Sequence, residues 1–221
     1  MSIQTLTHSD ISSTHRKIEL QRANNITFTP YTENISLATD VPISKEGAFY
    51  TYQKEAWLTE PGYEDVKNRE EYVARKKSMD QIDLALIQLT YTQFKDALQT
   101  THPDIAKKSF GFTLGPDTNL KVISYSDSLT EAECSSINEM LNNFQTLKIA
   151  IQHQAKDIMI LADHDHATFG SARNINLDNF HEIIDYHKVL SCGTNSMQNE
   201  WIRQVGSYAE PKSELYISER A

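Results

Sequence analysis

Four consecutive residues, Asp163, His164, Asp165 and His166, set two carboxylates and two imidazoles in a row. Donors of these types suit zinc, manganese or iron, and a divalent metal held in an acidic pocket can activate water for hydrolysis. In a helix, Asp163 and His166 share a face through their i,i+3 spacing. His181 and Asp185, four apart, could complete such a site, while His153 lies further back and reaches it only if the chain bends. The segment has no His-Glu-x-x-His signature. It also fails the calcium-loop pattern, because Ala167 follows and Gly170 is misplaced. The same four residues suit the last turn of a helix, where histidines satisfy terminal carbonyls and offset the dipole.

Cys192 is a second candidate. It precedes Gly193, and His181, Asp185 and His187 are near it in sequence. A thiolate nucleophile needs a base in hydrogen-bond reach and a carboxylate to orient that base. All three residue types are present, but no local protease signature surrounds the cysteine, so a cysteine enzyme is a distant alternative. Ser171 follows Gly170 without forming a Gly-x-Ser-x-Gly elbow. None of the seven glycines builds a dinucleotide or Walker loop, which argues against the common nucleotide-dependent enzymes.

The net charge of -9 is unevenly placed. Residues 1–110 carry 13 basic and 15 acidic groups, and residues 111–221 carry 8 and 15. An acidic field repels phosphate backbones and anionic lipid, so no nucleic-acid partner is expected. The one compact basic run, Arg75-Lys76-Lys77, reads as a solvated helix face. The longest apolar runs, such as Ile158 through Ala162, are far short of the roughly 20 residues of a membrane span. With no apolar stretch behind a basic start, the expected location is the cytoplasm, or outside it by export without a cleaved signal peptide.

These groups must be positioned by helices. Met79, Ile82, Leu86, Leu89, Phe94 and Leu98 form an apolar stripe that predicts a core-facing helix ending at His102-Pro103. Thr130 with Glu133 forms a capping box, with Leu129 and Cys134 placed as a hydrophobic staple. From there Cys134, Ile137, Leu141, Phe144, Ile151, Ala155, Ile158 and Ala162 recur in steps suited to one long helix, interrupted at Lys148. Between the two helices, 110–114 and 120–124 flank a Gly-Pro-Asp-Thr-Asn turn and read as a hairpin. Residues 47–52 have the aromatic content of a further strand, and Trp57 suits an anchor for that arm. Phe180 through Leu190 predict a shorter helix with Asp178 as its cap, stopped by Gly193, with helical turns again over 196–204.

The expected fold is α+β and mostly helical, with two long antiparallel helices and a β-hairpin or small antiparallel sheet. Nine Ser or Thr in residues 1–30 mark a flexible polar leader, followed by a single domain over 31–205 and a mobile tail over 206–221. The leading functional expectation is a non-catalytic acidic interaction protein with a protein partner, exported or docked through its leader. The alternative is a metal-dependent hydrolase centred on Asp163, His164, Asp165 and His166 with His181 and Asp185.

Overall fold

The computed structural model describes residues 48–213, which lie within one compact unit, Glu46–Ala221. The leader expected at 1–30 and the end of the expected tail, 214–221, lie outside the described residues. The fold is mostly helical α+β, with eight α-helices and a two-stranded antiparallel sheet among the described residues.

Helix α1, Arg69–Thr101, starts where the Asn68 side chain accepts the Glu71 backbone N–H, with Glu70 and Glu71 favourably placed in its first turn. It ends at His102, whose successor opens the short α2, Pro103–Ala106. Strands β1, Phe110–Leu114, and β2, Leu120–Ser124, pair with Phe112 opposite Val122. No third strand is present among the described residues: 48–52 is irregular, while Trp57 packs against Tyr72 of α1 with ring centroids 6.1 Å apart.

The capping box forms as expected at the start of α3, Glu131–Asn143. The single long helix does not form. Phe144 leaves the helical region with φ -83° and ψ 73°, and a separate helix α4, Gln145–His164, follows. The cause lies in the asparagines. Asn138 accepts from the Val122 N–H, and Asn142 both accepts from the Leu120 N–H and donates to the Leu120 carbonyl. These bonds occupy backbone groups on the free edge of β2, which a two-stranded sheet would otherwise leave open. Following the edge of β2 turns α3 away from the line of α4. Lys148, the odd residue in the expected seam, reaches Asn119 in the hairpin turn, and Gln152 donates to the Thr118 carbonyl beside it.

Helix α4 packs most extensively against α1. The two run antiparallel, since Lys76, Asp80 and Asp83 meet Asp157, Gln154 and His153 in that order. After α4 come α5, His166–Phe169, then α6, Phe180–Ile183, and α7, Tyr186–Ser191, in place of one 180–190 helix. The expected cap, Asp178, is not used; Asp185 caps α7 by accepting from His187 and Lys188. The last helix, α8, Met197–Tyr208, runs through the domain end expected at 205. Ala209 is buried beyond it, and Arg173 pairs with Pro211.

The core joins the inner faces of α1, α4, α7 and α8 to the hairpin. Leu141 is fully buried in it, whereas Phe144 at the break is half-buried. Leu141→Ala is expected to cost about 2–5 kcal/mol through lost burial and a residual cavity. An unchanged urea midpoint would show that this end of α3 contributes nothing to the core.

The expected core stripe on α1 is partly inverted. Leu84, Ile87, Tyr91, Phe94 and Leu98 are buried, while Met79, Ile82 and Leu89 are 41%, 61% and 58% exposed. In their place, Lys76, Asp80 and Asp83 point inward.

Candidate functional site

The polar residues inside the α1–α4 seam come from a helical repeat. Lys76, Asp80, Asp83 and Ile87 are spaced four, three and four, which aligns them on one face of α1. His153 and Asp157 stand one turn apart on α4 and face them. The basic run expected to be solvated therefore has its middle member buried: the Lys76 ammonium donates to Asp157 Oδ1 and Glu60 Oε1, both at 2.8 Å. It also lies 5.1 Å from the centre of the Tyr63 ring.

Electrostatics in the seam are dominated by burial. Removal from water would lower the Lys76 pKa, but Asp157 and Glu60 more than offset this, so it is raised and the lysine stays charged. Burial raises the Asp157 carboxyl, and Lys76 draws it back only in part. Asp80 is pushed up to about 6 by burial, although Gln154, Gln198 and the Trp201 indole all donate to it. Gln154 in turn accepts from the Tyr186 hydroxyl at 2.6 Å. His153 is raised, chiefly by its 2.8 Å hydrogen bond to Asp83. Its side chain remains 52% exposed, so the seam opens to solvent at this imidazole.

Asp83, His153 and Asp157 each place a ligand-type atom within 4.8 Å of the others, so this largely buried group could hold a metal ion. It is the group found among the described residues, and none of the six candidate ligands expected from the sequence belongs to it. The sequence signal for it was an acid within an apolar stripe, Asp83, opposite a His-x-x-x-Asp pair, His153 and Asp157, on another helix.

The 163–166 segment sits where α4 ends, and its groups engage the neighbouring chain. Asp163 accepts from the Tyr50 hydroxyl at 2.8 Å and from Lys212. Burial raises its carboxyl, opposed by Lys212. Asp165 pairs with Lys77 at 2.6 Å and caps α5 by accepting from the Thr168 N–H. Burial would raise its carboxyl, but the Lys77 and Thr168 bonds prevail and lower it. His166 accepts from Arg69 on one ring nitrogen and donates to the Asp163 carbonyl with the other, both at 3.1 Å. His164 turns inward between Tyr52, Trp57 and Tyr72, with ring centroids at 5.5, 6.3 and 5.8 Å. Its Nε2 is buried without a partner, and burial lowers its pKa to about 4, helped by the positive charges of Arg69 and Lys212. In this arrangement lysines pair with both carboxylates, and the two imidazoles engage in aromatic packing and in a bond to the backbone. Beside Asp163, Tyr50, Asn174, Pro211 and Lys212 line a cleft of about 520 Å³.

His181 and Asp185 do not extend that segment. His181 buries Nδ1 without a partner. Asp185 caps α7, accepts from the Tyr125 hydroxyl and pairs with Lys188 at 3.3 Å. Its carboxylate and Tyr125 close over Gly111, where an added Cβ would lie 2.3 Å from the tyrosine oxygen and 2.6 Å from Asp185 Oδ1. Only glycine permits this approach. Cys192 lies just past α7 with Sγ 3.5 Å from the Lys188 carbonyl, while His187 packs against Tyr125 with ring centroids 5.9 Å apart. The thiol therefore contacts a helix-end carbonyl, and the nearby histidine contacts a phenol.

The third feature is the outer face of α1. From Ser78 to Gln93 every exposed residue is uncharged, and the only two charged residues of that stretch, Asp80 and Asp83, are buried. Among the described residues no helix is long and apolar enough to cross a membrane. No family model, no curated protein and no solved structure matches this chain.

Proposed function

We propose that this protein is a non-catalytic interaction protein whose docking surface is the outer face of α1, and that the face receives the same helix of a second copy. The supporting observation is the inverted stretch from Ser78 to Gln93, where charges face the core and Met79, Ile82 and Leu89 face water. Depletion of charge with retention of large apolar side chains is the compositional mark of an interface centre. A helix face of this width suits another helix packed along it.

The pattern is complementary to itself. With two copies of α1 antiparallel and the two-fold axis between Ala85 and Leu86, Ile82 faces Leu89 of the second copy. Small Ala85 faces Leu86, and Met79 faces Thr92. An isologous interface requires this reciprocity. Outside the uncharged stretch, Arg75 comes opposite Asp96 in this arrangement, whereas a parallel pair would set Arg75 against Arg75. Because Arg75 already holds Asp65 at 2.7 and 2.5 Å, its contribution is to orientation more than to affinity.

Sedimentation equilibrium of the full chain tests this reading. A species of twice the 25.2 kDa chain mass is expected, and Ile82→Glu/Leu89→Glu should return it to monomer. Each buried charge is expected to weaken association by about 2 kcal/mol. Both positions are exposed, so the unfolding midpoint of the diluted variant should match wild type. A wild-type chain that stays monomeric up to several hundred micromolar removes the proposed role of this face.

A further inference from the structure

We propose that Asp83, His153 and Asp157 form a divalent transition-metal site in the α1–α4 seam, independent of the docking face. Two facts beyond the proximity of the three residues carry this. The donor set is mixed, one imidazole with two carboxylates, which suits zinc, manganese, iron(II) or cobalt(II) rather than calcium or magnesium. Asp157 is also 2% exposed and uses only half of its carboxylate: Oδ1 accepts from Lys76, while Oδ2 is buried with no partner. A buried carboxylate oxygen without a donor is a costly arrangement that calls for an occupant.

Charge around the group favours a cation. Asp83 and Asp157 are ligands, Glu60 lies on the far side of Lys76, and Asp80 stands one turn before Asp83 on the same face of α1; Lys76 is the lysine bonded into this set. With His153 neutral as a ligand, one lysine leaves several carboxylates uncompensated in a low-dielectric seam. A divalent ion supplies the missing charge without displacing Lys76, which bonds the other oxygen of Asp157.

Geometry also allows closure. Ligand atoms about 2.1 Å from a metal lie at most ~4.2 Å apart, and the three donor atoms here already lie within 4.8 Å of one another, so closure on an ion needs only a small shift. His153 is the ligand able to close it, because its side chain is half exposed and held by a single hydrogen bond to Asp83. The open side at His153 gives the ion its entry path and leaves room for water to complete its coordination.

Cobalt(II) titration of the full chain at pH 7.5, read by visible absorption and by isothermal calorimetry, tests the site, with zinc as competitor. One ion per chain is expected, accompanied by a rise in Tm that grows with cobalt concentration. His153→Ala should weaken binding at least tenfold and abolish the cobalt-dependent rise in Tm, measured from the variant's own metal-free baseline. His166→Ala and His187→Ala should leave both readouts unchanged. No stoichiometric uptake by wild type, or uptake undiminished in His153→Ala, would overturn the proposal.

Discussion

Lys76→Met is expected to destabilise the protein by about 3–5 kcal/mol at neutral pH, the range found when one partner of a buried ion pair is removed. Methionine keeps the aliphatic volume between Tyr63 and Tyr72 but leaves Asp157, at 2% exposure, with no counter-charge. The loss comes from that stranded carboxylate rather than from the net worth of the pair. Lys76→Met/Asp157→Leu removes both charges and should recover most of the stability. Urea unfolding of the two variants measures this directly. A single-variant loss under about 1 kcal/mol would mean that water reaches Asp157. The penalty should also shrink as pH falls, because burial raises the Asp157 carboxyl and a proton can replace the ammonium.

The second large effect is an acid limb set by His164. Its folded pKa is depressed to about 4, while the unfolded chain carries an ordinary histidine near ~6.5. Between those values the unfolded state binds the proton and the folded state does not. Stability is therefore fully present above the unfolded pKa and is lost as pH falls toward 4. The loss attributable to this one group is on the order of 3 kcal/mol. Asp80 and Asp157, whose carboxyls are raised, gain stability over part of the same acid range, so the net profile of the wild type is flatter than the His164 contribution alone. Comparison with His164→Phe isolates it. Phenylalanine suits the cage of Tyr52, Trp57 and Tyr72 and removes the unpartnered Nε2. The stability difference between variant and wild type should be constant above pH 7 and should shift in favour of the variant by about that amount toward pH 4. Parallel profiles for the two proteins would show that His164 takes up its proton without unfolding.

Local chemistry in the sequence was enough for most of the element types and several of their ends. The Thr130–Glu133 capping box, the stop at His102-Pro103 and the hairpin over 110–124 each depend on residues a few positions apart. The antiparallel pairing of the two long helices was expected from the hairpin that links them. The break at Phe144 did not, because its cause is long-range: Asn138 and Asn142 serve the edge of β2, some 20 positions away in the chain. Periodicity sees a helix continuing through such residues, since nothing local forbids it.

The sites divide along the same line. The sequence by itself picked out 163–166 as chemically dense, and the structure placed all four groups at the end of α4, bonded to Tyr50, Arg69, Lys77 and Lys212 or packed among aromatics. Whether a carboxylate is free to bind a cation depends on which lysine reaches it, and those lysines come from positions 77 and 212. Composition along α1 determined that it is a helix with both apolar and charged rows. Only tertiary packing decided which row faces inward. Hydrophobicity favours burying Met79, Ile82 and Leu89, but α4 presents Asp157, Gln154 and His153 to the seam, and α8 adds Trp201 and Gln198. Lys76, Asp80 and Asp83 satisfy those partners where apolar residues would leave them unpaired. The seam's polar network therefore turned the charges of α1 toward the core, and by rotation about the helix axis turned its apolar residues toward the surface.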